Sequence, residues 1–251
     1  MQSASAIFVL DSGIGGLSIL RRLIKLSPSS KYIYFADQQY FPYGDKDPLW
    51  VQDRLKTLVT FGVQNGAQAV VIACNTATVH SLDQLRKQFS IPIFGVEPVV
   101  KPLAKYASAA ILATSSTAKS ARTQQLQAMH MGTHLKVVGV PQLATAIEDM
   151  DQTKIIALLT MLNSQLQGIQ AIGLSCTHYP LVEKTISAIF PNIIIIDPSL
   201  AVASHVISTL SPSFDSAQQA PIFLTTGDVL RLKEQISYYV GLKGELQKVN
   251  V

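Results

Sequence analysis

The chain has 251 residues, 48% of them hydrophobic and only 14% charged, with a formal net charge of +4. That composition supports one large domain or two ordinary ones around a substantial core, and it excludes a mainly disordered chain. Its basic residues are scattered, as in Arg21-Arg22, Lys25, Lys31 and Arg86-Lys87, and no apolar run approaches the roughly 18–20 residues of a membrane span, so neither a nucleic-acid nor a membrane partner is expected.

Short, apolar, often β-branched runs alternate with longer helical patterns. A strand at 7–10 precedes a helix at 17–26, a strand at 32–35 a helix at 48–65, and a strand at 69–73 a helix at 76–88. A strand at 93–96 and a helix at 99–106 follow. The same order begins again with a strand at 109–113, a helix at 118–129, a strand at 135–140 and helices at 143–149 and 152–167. A strand at 171–174, a helix at 180–190, a strand at 193–196 and a helix at 200–210 complete it. A last strand at 222–225 and helix at 229–240 close the chain. Near-continuous apolar strands separated by helices predict parallel sheets covered on both faces.

The order contains a repeat. The strand at 109–112 lies 102 positions after that at 7–10, and Cys176 lies 102 positions after Cys74. Glu97-Pro98 and Asp197-Pro198 close the two units. The expected fold is therefore α/β, with two similar doubly wound lobes related by a pseudo-two-fold axis. The first lobe takes 1–98 and 211–251, and the second takes 99–210. Doubly wound sheets bind ligands beyond the carboxyl ends of their strands. Facing lobes place Cys74 and Cys176, each at a strand end, on opposite sides of one cleft.

Each cysteine leads into a polar residue and a helix, through Cys74-Asn75-Thr76 and Cys176-Thr177-His178. Asn75 or Thr76 is expected to cap the following helix, whose free amides favour a thiolate and offer donors to a carboxylate. A thiol on each face of one carbon predicts stereoinversion: one thiolate removes a proton while the opposite thiol delivers one. Buried structural thiols and a Cys176–His178 nucleophile are the rival readings, and neither explains the shared strand-end setting. Two cysteines are too few for a typical structural zinc site and, in a cytoplasmic protein, make a disulfide unexpected. The run Gly13-x-Gly15-Gly16 lacks the full dinucleotide spacing, and Asp11 puts negative charge where a pyrophosphate would sit. No cofactor is expected.

The chain resembles the glutamate racemases within the aspartate/glutamate racemase superfamily. The resemblance is carried by Asp11-Ser12-Gly13-Ile14-Gly15-Gly16-Leu17, Pro42-Tyr43-Gly44, Ala73-Cys74-Asn75-Thr76-Ala77 and Gly95-Val96-Glu97-Pro98. It continues through Thr114-Ser115-Ser116-Thr117, Cys176-Thr177-His178-Tyr179-Pro180 and Thr225-Thr226-Gly227-Asp228. It implies a cofactor-independent enzyme, a homodimer located in the cytoplasm, that supplies D-glutamate for peptidoglycan. Cys74 would be the base toward the D-enantiomer and Cys176 the base toward the L-enantiomer. Asp11 would assist near Cys74 and His178 near Cys176, and Glu148 would be an acidic residue assisting on the second thiol's side. Ser12, Tyr43, Gly44, Asn75, Thr76, Thr114, Thr117 and Thr177 would hold the substrate together with Asp11 and His178.

Each role has a plainer counterpart: a helix cap for Asp11-Ser12, a turn for Pro42-Tyr43-Gly44, a backbone hydrogen bond for His178, a surface carboxylate for Glu148. His80, His130, His134 and His205 are read as structural. Two departures stand out. Tyr40 occupies a position where the family often has arginine, and Val140-Pro141-Gln142-Leu143 replaces a Cys-Pro segment, which loosens the Glu148 assignment. A sister racemase acting on aspartate and a two-lobe binding protein are the competing functions. Both thiols, with Asp11 and His178, favour an enzyme.

Overall fold

The structure, a computed structural model, describes residues 6–129, 134–210 and 219–251. The first half contains β1 (Ala6–Asp11), α1 (Leu17–Leu26), β2 (Lys31–Ala36), α2 (Pro48–Gln64), β3 (Ala67–Ile72), α3 (Asn75–Gln88) and β4 (Ile93–Gly95). The second contains β5 (Ser108–Ala113), α4 (Ser115–Lys119), α5 (Ala121–Ala128), β6 (His134–Gly139), α6 (Leu143–Glu148), α7 (Gln152–Thr160), β7 (Ala171–Ser175), α8 (Glu183–Ile189) and β8 (Ile194–Ile196). α9 (Ser199–Leu210), β9 (Ile222–Thr225), α10 (Val229–Tyr239) and β10 (Glu245–Lys248) follow.

The strands form a six-stranded sheet, ordered β10-β9-β2-β1-β3-β4, and a four-stranded sheet, ordered β6-β5-β7-β8. All described pairings are parallel, as strand–helix alternation requires. The segment β2-β1-β3-β4 repeats as β6-β5-β7-β8, which is the spatial form of the 102-residue offset between the two cysteines. Both faces of each sheet are covered. β1 sends Ile7 and Val9 into one core and Phe8 and Leu10 into another. β5 divides Ala110 and Leu112 from Ala109 and Ile111 in the same way. A strand with both faces buried has no use for polar alternation, hence its continuous apolar run.

The buried residues of α1 include Leu17, Leu20, Leu23 and Ile24, spaced three and four apart where they make a stripe. Burying each leucine contributes about 1.5–3 kcal/mol. Ala203 and Val206 of α9 share that core. α9 was expected in the second lobe, yet it packs on α1 against the six-stranded sheet. Its amphipathic pattern announces a buried face without saying which sheet receives it. His130 and the expected boundary at 211 lie outside the described residues.

Other elements differ in detail. The helix expected at 118–129 is broken at Ser120, whose extended backbone and hydroxyl cap α5 through the Thr123 amide. The segment expected as a helix at 99–106 is a 3-10 turn, Lys101–Lys105, with Pro102 in its first turn. α7 ends at Thr160, short of the expected 167. β10, whose sequence is Glu-Leu-Gln-Lys, is an edge strand with no apolar signal to announce it. Among the described residues no helix is long and apolar enough to cross a membrane.

Candidate active site

Parallel strands put the loops that follow β1, β3, β5 and β7 at the carboxyl edges of the two sheets. There a small cavity of about 20 Å3 lies between them. The six-stranded half lines it with Ser12 after β1, Tyr43 and Gly44 after β2, and Cys74, Asn75 and Thr76 after β3. The other half supplies Thr114 after β5 and Cys176, Thr177 and His178 after β7. Both thiols are buried and free. Asp11, Thr117 and Glu148 stand one layer behind, each bonded to a lining residue.

Around Cys74, the Ser12 hydroxyl points at the sulfur from 3.7 Å. Asp11 accepts from the Gly13 amide at 2.9 Å and from the Thr177 hydroxyl at 2.9 Å, so it ties the loops of the two sheets together. Burial pushes the Asp11 carboxyl up, against the positive field of His178 and its two donors. Cys74 itself, not Asn75 or Thr76, is the residue that precedes α3 in extended conformation. Asn75 instead donates to the Val96 carbonyl at 2.8 Å, and its Oδ1 is buried without a hydrogen-bond partner. A buried acceptor left unpaired costs about 1–3 kcal/mol, so a donor on a ligand is favoured there. The hydroxyls of Thr76, Thr114 and Thr117 meet in a triangle, each 3.1 Å from the others.

The helix N-terminus was expected to bring the Cys74 thiol toward neutrality. The structure reverses that. Burial, with the nearby Asp11 charge, pushes Cys74 up to about 12, and the Ala77 amide and Ser12 hydroxyl offset only part of it. Desolvation wins because the sulfur sits in the cavity wall and not in solvent. At pH 8 the thiolate fraction is thus far below that of an ordinary thiol. In the ligand-free protein Cys74 should resist iodoacetamide under conditions that alkylate a model peptide. Rapid labelling of Cys74, mapped by mass spectrometry, would contradict this assignment.

Around Cys176, His178 Nδ1 lies 4.0 Å from the sulfur and His178 Nε2 lies 2.7 Å from Glu148 Oε2. Glu148 is buried and not the surface carboxylate that its helical setting also allowed. Burial alone would lower His178 and raise Glu148. Their mutual bond, with Cys176 on one side and Gln38 and the Ile14 amide on the other, reverses both, so His178 is raised well above its ordinary value and Glu148 is lowered. Phe41 packs its ring 5.3 Å from that of His178. Gly13 and Gly15 allow this approach. A Cβ on Gly13 would stand 2.5 Å from Glu148 Oε2, and one on Gly15 2.6 Å from His178 Nδ1.

Sequence reasoning missed several supporting residues. Asp37, fully buried, accepts from Arg54 Nε at 2.8 Å, Arg54 Nη2 at 2.7 Å, Tyr43 OH at 2.6 Å and the Thr226 hydroxyl at 3.0 Å. Tyr40, the departure from the family pattern, lies under the Arg54 guanidinium at 4.5 Å. Gln38 and Gln235 bond to Glu148. The only signal available for these was the motif that holds Thr225 and Thr226.

The Asp/Glu/Hydantoin racemase family profile matches residues 17–206. A glutamate racemase from Ralstonia pickettii is 37% identical, over 97% of this chain and 90% of its own length. The Escherichia coli glutamate racemase solved with L-glutamate and the activator UDP-MurNAc-ala is 28% identical, with a TM-score of 0.87 over 98% of each chain. A Francisella tularensis glutamate racemase solved with D-glutamate is 25% identical, with a TM-score of 0.86 over 99% of this chain and 98% of that one. By sequence over nearly its whole length, and by its fold, the chain belongs to the Asp/Glu/Hydantoin racemase family, among the glutamate racemases.

Proposed function

We propose that this protein interconverts L- and D-glutamate with two thiols and no cofactor, in the cytoplasm and as a homodimer, supplying D-glutamate for peptidoglycan. The observation that carries the reading is the placement of Cys74 and Cys176 on one buried cavity, from opposite sheets, each with its own polar partners. In one direction the Cys176 thiolate takes the α-proton of L-glutamate, and the C–H electron pair stays on carbon as a carbanion. The Cys74 thiol then gives its proton to the opposite face, leaving D-glutamate, a Cys176 thiol and a Cys74 thiolate. The reverse direction exchanges the roles, so each thiol serves as acid and as base.

The α-proton is weakly acidic, and the carbanion needs a closed site with fixed donors. The amides and hydroxyls of Ser12, Gly44, Asn75, Thr76, Thr114 and Thr177 suit two carboxylates, with Thr117 bracing the threonine pair and Tyr43 closing one wall. The unpaired Asn75 Oδ1 and the buried Asp11 suit the ammonium. That ammonium brings positive charge beside Cys74, which offsets part of the burial penalty on its thiolate.

The test is circular dichroism of each glutamate enantiomer with purified protein in D2O and no added cofactor. Loss of signal from both, with deuterium at the α-carbon, is expected. Silence with glutamate and turnover of aspartate would change the substrate, and silence with both would overturn the enzyme reading. Sedimentation equilibrium decides the homodimer.

A further inference from the structure

The acid behind the second thiol is held from the opposite half of the molecule. Glu148 ends α6, which packs with the four-stranded sheet through Leu143, Ala146 and Ile147. Its donors come largely from the six-stranded half. Gln38 Nε2, in the turn after β2, donates to Oε1 at 2.7 Å, and the Ile14 amide donates to Oε2 at 3.1 Å. From α10, Gln235 Nε2 donates to the Glu148 carbonyl at 2.6 Å, and Arg231 Nη2 to the same carbonyl at 3.3 Å.

The direction of the Gln38 amide is fixed from behind. The Gly227 amide donates to Thr225 Oγ1 at 2.9 Å, so the Thr225 hydroxyl proton is free to go to Gln38 Oε1, 3.0 Å away. With that oxygen occupied, the two Nε2 hydrogens turn to Glu148 Oε1 and to Gln235 Oε1, the latter at 2.8 Å. Thr225 and Gln235 are fully buried, so water does not compete for these positions.

We propose that Gln38, oriented by Thr225 and Gln235, is a positioning residue that keeps Glu148 an acceptor-only carboxylate and so keeps a proton on His178 beside Cys176. The proposal rests on the two-thiol reading for its meaning in catalysis. A proton on either Glu148 oxygen would face a donor: Gln38 at Oε1, or the Ile14 amide and His178 at Oε2. The other ionisable groups facing the pair are Asp11 after β1, Tyr34 on β2, Cys176 beside His178, and Arg231 and Tyr239 on α10. Gln38 is the neutral side chain among them that donates to the carboxylate itself.

Gln38→Met keeps the side-chain length and removes the donor. The acid limb of the pH profile of kcat/KM should move up by about one pH unit, as expected when a charged acceptor loses one hydrogen bond. The step in the His178 ring 15N resonances that marks protonation of its Glu148 partner should move up in pH by a similar amount. Thr225→Val touches neither Glu148 nor His178, but it frees the amide to turn. It should move both readouts in the same direction by a smaller amount, and it stands in if Gln38→Met does not fold. A folded variant with the acid limb and the His178 resonances both unmoved overturns the proposal, since a packing role alone would alter neither. The NMR titration needs no turnover. A shifted His178 in a protein that racemises nothing would keep this clamp and discard the two-thiol reading.

Discussion

Cys74→Ser and Cys176→Ser should each lower kcat for glutamate racemisation by about a hundred- to ten-thousandfold, the range that a positioned acid or base supplies. A serine hydroxyl neither ionises near neutrality nor accepts a proton from carbon at a useful rate. The two enantiomers have equal free energy in water, so kcat/KM must fall equally in both directions whichever thiol is lost. The halves of the reaction separate only with a substrate that need not be reprotonated. A glutamate carrying a leaving group on its β-carbon serves, because the carbanion expels the group. Cys74→Ser, with Cys176 intact, should still eliminate from the L-enantiomer. Cys176→Ser should do so from the D-enantiomer. Both sulfurs are buried, so near-native thermal midpoints are needed to assign the loss to chemistry. Normal racemisation by both variants would end the thiol mechanism.

Arg54→Met should destabilise the fold by about 3–5 kcal/mol, because it strands the Asp37 carboxylate in the interior. Side-chain exposure is 8% for Arg54 and zero for Asp37, and the pair meets through two nitrogens of one guanidinium. For a chain of this size the thermal midpoint should drop by roughly 6–20 °C. The double variant Arg54→Met with Asp37→Asn should recover much of that, since it removes the stranded charge and keeps an acceptor for the Tyr43 phenol. Recovery would identify the uncompensated carboxylate as the cause, whereas equal losses would point to packing around Tyr40. Tyr43 lines the cavity, so the single variant should also raise KM.

The two parallel sheets were legible because β1 and β5 are buried on both faces and so carry unbroken apolar runs. The meeting of Cys74 and Cys176 on one cavity was legible because the same spacing separates the cysteines and their strands. What escaped depended on partners distant in sequence. Gln38 lies 110 positions from Glu148 and 197 from Gln235, and neutral amides in a 3-10 turn and on a helix carry no periodic signature. Arg54 sits within an ordinary amphipathic helix, and nothing local says that Asp37 waits opposite. α9 offered its apolar stripe without an address. The Cys74 thiol misled because its helix terminus is visible in sequence, while the depth of its burial is not.

β9, α10 and the polar edge strand β10 belong to the sheet that β1 begins. This has a consequence for how the protein is made. A nascent chain that has already exposed both cysteines and every cavity-lining residue still lacks Thr225, Gln235 and the second edge of that sheet. Its Gln38 can already reach Glu148, but the two later side chains that bond to Gln38 are not yet made. Synthesis therefore delivers the two thiols and the residues that line the cavity first, and the residues that hold Gln38 in place last.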